Sequence, residues 1–172
     1  MARTEILRRA CLICGRWGTP EANRAVARAI QSLSFAAALL NGYTNYSELR
    51  EFSASICFYW NIAGLLERND WAAVRALQTL ELRGADSAKD AVTALPFECY
   101  RSLDWKFLKG HEPSYAPASF FLAKRFVAEA RDIALGEARA DELFDQTELT
   151  IALQHAHQRG QGEEIAWTPV GR

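Results

Sequence analysis

Apolar residues recur every three or four positions along most of the chain, which is the spacing of one helix face. The stretch from Ser53 to Leu66 differs, because it carries no charge for fourteen residues and is apolar on every side of a helical wheel. A helix that is apolar all round is surrounded by other helices. As a helix, the stretch from Ser53 to Leu66 would be about 21 Å long, which is too short to span a membrane. We therefore predict a central, buried helix here.

Capping residues, prolines and glycines divide the remaining chain into further helices. The main start signals are Thr19 before Pro20, Asp70 and Asp141, and glycines follow several predicted ends. The predicted helices cover 4–17, 20–40, 45–66, 71–83, 86–95, 97–109, 119–138 and 141–159. No strand is predicted. The expected fold is all-α: a single-domain, irregular bundle of about eight helices over residues 1–160, with a tail at 161–172.

Composition and charge narrow the class of protein. The 172 residues suit one domain, and a net charge of -1 gives no overall attraction to nucleic acid or to an anionic membrane. The four cysteines lie in apolar, helical surroundings, which indicates reduced thiols. Arg8 and Arg9 interrupt the apolar segment that a signal peptide would need. We expect a cytoplasmic protein with no membrane partner.

Candidate chemistry is sparse. The sequence lacks the zinc-protease, phosphate-loop and dinucleotide motifs, so we assign no catalytic residue and no cofactor and expect a protein that is not an enzyme. Cys11 and Cys14 have metal or redox spacing, but they lie within a predicted helix, so we interpret them as buried thiols. His155 and His157 point about 200° apart on the last helix. No metal site is predicted.

Two segments are predicted to contact a partner protein. Acidic residues cluster near the start of the last helix, where Asp141, Asp145 and Glu148 share one side. A loop with two prolines, residues 111–118, is the longest predicted loop. The predicted partner-binding residues are Asp141, Glu142, Asp145, Glu148, His111, Glu112 and Tyr115.

These patterns favour a protein-protein interaction module. Small chains without catalytic motifs include immunity proteins that neutralise toxins and inhibitors of larger complexes, and an acidic surface suits a basic target. The first alternative is a nucleic-acid-binding subunit of a ribonucleoprotein, and the second is an enzyme or ligand binder with a pocket at Tyr59, Trp60 and Asn61. The arginines for nucleic acid would be Arg8, Arg9, Arg16, Arg24 and Arg28. A homo-oligomer remains open.

Overall fold

The computed structural model describes residues 5–39, 44–83, 88–95 and 117–159. They belong to two compact units, Met1–Ser102 and Leu103–Arg172. The single domain over 1–160 stays a prediction, and the tail at 161–172 and the helix at 97–109 lie outside the described ranges.

Helices dominate both units, which confirms the all-α class. The first unit contains α1 (Glu5–Trp17), α2 (Pro20–Leu39), α3 (Thr44–Glu67), α4 (Trp71–Gln78), β1 (Glu81–Arg83), β2 (Ala88–Asp90) and α5, which is described at residues 91–95. The second contains α6 (Pro117–Ala130), a 3-10 turn (Arg131–Ile133) and α7 (Glu137–Arg159). None of the helices in the described ranges has both the length and the hydropathy of a membrane span.

The central helix is confirmed as α3. Every residue from Ala54 to Leu66 is buried, because α1, α2 and α4 pack around this segment. Trp60 is the largest of the fully buried side chains, and the rings of Phe58 and Tyr59 lie edge to face at 6.3 Å. The core of the first unit is therefore built on the uncharged stretch.

Two predicted helix caps are also confirmed. The Thr19 hydroxyl oxygen accepts a hydrogen bond from the Ala22 amide at 3.3 Å, and an Asp70 carboxylate oxygen accepts one from the Ala73 amide at 3.0 Å. The hydrogen bond from the Ala73 amide, together with a second one from the Arg68 guanidinium, lowers the pKa of the Asp70 carboxyl below its ordinary value. Both caps satisfy amides at helix starts that have no partner within the helix.

The expectation of no strand is wrong at residues 81–83 and 88–90. α4 ends at Gln78 instead of reaching Arg83, and β1 and β2 form an antiparallel hairpin in which Leu82 pairs with Lys89. Leu82 is buried while its neighbour Glu81 is exposed, as expected for successive side chains of a strand, which point to opposite faces. The helix predicted from residue 86 therefore begins only at residue 91.

The predicted boundary between the last two helices is also wrong. α6 ends at Ala130 and the 3-10 turn follows, after which Ala134 adopts a left-handed conformation with φ of 58°. The Leu135 amide then donates to the Ala130 carbonyl at 3.2 Å, which closes the helix end. α7 begins at Glu137, so Asp141 lies one turn inside it and does not cap it.

Candidate functional site

The buried side of α7 packs on α6 within the second unit. Phe144 contacts Phe126, with ring centroids 5.9 Å apart. The hydroxyl of Ser119 donates to a carboxylate oxygen of Glu148 at 2.5 Å, and both residues are buried. This side of α7 therefore contributes to the core and is not available to a partner.

The exposed side of α7 combines carboxylates with leucines. Leu149 and Leu153 lie one turn apart and are 50% and 63% exposed, whereas the other large aliphatic side chains of α7, Leu143 and Ile151, are buried. Glu142 and Asp145 are exposed and precede them at helical spacing. We call Glu142, Asp145, Leu149 and Leu153 the leucine-acid face.

Carboxylates outnumber cations along this side of the helix. Glu142 accepts a hydrogen bond from the Arg139 guanidinium at 2.8 Å and another from the Gln146 amide at 3.2 Å. Asp145 is exposed on the same side and Asp141 is half-buried at its edge. An apolar centre with a charged border is the common composition of a protein-protein interface.

The predicted partner-binding residues are therefore only partly brought together. Glu142 and Asp145 lie on the leucine-acid face and Asp141 lies beside it, but Glu148 is only 2% exposed and must be removed from this surface. Its position, about 100° around the helix from Leu149, turns it towards Ser119. His111, Glu112 and Tyr115 lie outside the described residues.

Sequence reasoning did not select Leu149 and Leu153. The available signal was their spacing, because residues 142, 145, 149 and 153 follow one another by three, four and four positions along a single helical side. Leucines at such positions are ordinarily assigned to a core. Only the position of α6 against the opposite side of α7 shows that these two are exposed.

The different positions of Glu148 and Asp145 predict different effects on stability. Glu148→Ala should lower the free energy of unfolding by about 1–3 kcal/mol, because the buried Ser119 hydroxyl loses its acceptor. Asp145→Ala should change it by less than about 0.5 kcal/mol, as for most surface substitutions. Urea unfolding of both variants followed by circular dichroism checks this. Equal stability of the two variants would contradict the burial of Glu148.

Most of the arginines proposed for nucleic-acid binding are either buried or paired with a carboxylate. Arg8 is 1% exposed, so it is removed from the set, while Arg24 and Arg28 are exposed. Three of the arginines form ion pairs with carboxylates: Arg9 with Glu5 at 2.6 Å, Arg16 with Glu67 at 3.8 Å and Arg24 with Glu21 at 2.5 Å. Neighbouring carboxylates therefore balance much of the charge that phosphates would need.

The residues proposed to line a pocket lie in the packed core of the first unit. Tyr59, Trp60 and Asn61 are each no more than 1% exposed. The Asn61 side-chain amide donates to the backbone carbonyl of Cys11 at 2.8 Å, which joins α3 to α1. Asn61 is the one side-chain amide between Ser53 and Leu66, and its role is to link the two helices through this hydrogen bond.

Cys11, Cys14 and Cys57 are free thiols. A hydrogen bond with Cys57 and, to a lesser extent, burial raise the pKa of the Cys11 thiol, so it stays protonated. No group of three metal-ligating side chains comes together among residues 5–39, 44–83, 88–95 and 117–159. Because its pKa is raised, the Cys11 thiol is a poor nucleophile in this environment.

No protein-family model matches the chain, and no curated protein and no solved structure is significantly similar to it. The fold and the leucine-acid face define an all-α protein with a mixed apolar and acidic surface on α7.

Proposed function

We propose that this chain is a non-enzymatic, cytoplasmic protein-protein interaction module and that the leucine-acid face binds its partner protein. Within this class we favour an immunity or inhibitor protein that covers a basic surface of a toxin or of a larger complex. The free thiols at Cys11, Cys14 and Cys57 support a reducing compartment.

The observation that carries this proposal is the exposure of Leu149 and Leu153, which are 50% and 63% exposed. Burial of a leucine side chain against a partner contributes up to about 1.5–3 kcal/mol. Two leucines one turn apart can therefore supply the apolar centre of an interface.

The carboxylates beside the leucines indicate the charge of the partner. Glu142 and Asp145 are exposed, and Glu142 forms an ion pair with the neighbouring Arg139 at 2.8 Å. Complementary charge accelerates encounter and excludes partners of the same sign. A basic protein surface, such as the substrate channel of a nuclease, has the required sign.

Capture from native lysate tests the proposal. Three baits are compared: the wild type, the double variant Leu149→Ser with Leu153→Ser, and the control Phe35→Ser, which alters a 47% exposed aromatic residue on α2. We expect one stoichiometric protein with the wild type and the control at moderate salt, and at least about tenfold less with the double variant, because two buried leucines contribute at least that much affinity.

Equal capture of the protein by all three baits would exclude the leucine-acid face. Nucleic-acid absorbance is recorded on the same eluates. Nucleic acid that leaves as salt rises, without a protein partner, would support the arginine alternative, because phosphate contacts weaken steeply with salt.

A further inference from the structure

We draw no further inference here: the strongest candidate, the exposed apolar side of α1 formed by Ile6, Ile13 and Trp17, carries no proposal because nothing in the described part of the structure shows what covers it.

Discussion

Gly64→Ala is expected to lower the free energy of unfolding by about 2 kcal/mol, and Gly64→Leu by considerably more. At this position α1 and α3 cross with their backbones in contact. A Cβ atom on Gly64 would lie 2.5 Å from the Leu12 carbonyl oxygen, 2.7 Å from the Arg16 amide nitrogen and 2.9 Å from the Gly15 Cα. All of these are backbone atoms, so α1 must move as a whole.

The expected loss of stability in Gly64→Ala is the difference between an unfavourable and a favourable effect. Overpacking of a buried contact costs about 3 kcal/mol, and alanine in place of glycine within a helix returns about 1 kcal/mol. Gly136→Ala is the matched control, because nothing lies within 4 Å of a Cβ atom there. Urea unfolding of the two variants measures the contrast, and a Gly64→Ala variant as stable as the control would disprove the close crossing.

Asn61→Asp is expected to destabilise the first unit by about 3–4 kcal/mol at pH 7. The Asn61 amide donates to the Cys11 carbonyl oxygen at 2.8 Å inside the core. An ionised carboxylate at position 61 would place a second hydrogen-bond acceptor against the Cys11 carbonyl oxygen, with no proton between them. Only the protonated acid can donate there, so the fold raises the pKa of the new carboxyl well above its usual value of about 3.9.

The sign of the pH dependence follows from that raised pKa. Below about pH 4 the acid is protonated in both the folded and the unfolded chain, so the variant loses little stability. As the pH rises towards the folded-state pKa, the unfolded chain releases its proton first and the destabilisation grows. Asn61→Ala is the matched control, because it removes the same hydrogen bond without adding a titratable group.

Urea unfolding between pH 4 and pH 8 compares the two Asn61 variants. The stability of Asn61→Asp relative to Asn61→Ala should fall as the pH rises, because only the carboxyl of the first variant titrates in this range. A constant difference over this range would mean that water reaches residue 61 and that the contact with Cys11 is not buried.

Much of the first unit could be predicted because its signals are local. Thr19 with Pro20 and Asp70 mark helix starts by satisfying free amides, and a fourteen-residue stretch without charge requires burial wherever it packs. Asn61 follows the same logic, because a buried amide must find a partner and the nearest helix offers a carbonyl.

The hairpin and the last helix boundary could not be predicted because competing local patterns were nearly balanced. Leu80 and Leu82 fit either the end of a helix or an alternating strand, and only pairing with Lys89 favours the strand. At Ala134, a non-glycine residue adopts the left-handed conformation, so the usual glycine signal appears two residues later at Gly136.

The candidate site depended on information that the chain does not carry locally. Glu148 and Leu149 are neighbours in sequence, yet Glu148 is 2% exposed and Leu149 is 50% exposed. Helical spacing groups residues by side, but which side is buried depends on where α6 packs. The spacing therefore predicts a surface position for Glu148, which the structure buries, and gives no reason to select the exposed Leu149 beside it.

Site-specific photo-crosslinking is the most direct measurement of partner binding at the leucine-acid face. A benzophenone amino acid replaces Leu153 in one variant and Arg75, an exposed residue of α4, in the control. After irradiation of cells that express each variant, we expect one adduct band of defined mass from position 153 and none from position 75. No adduct at 153, or the same bands from both positions, would contradict a partner on this face.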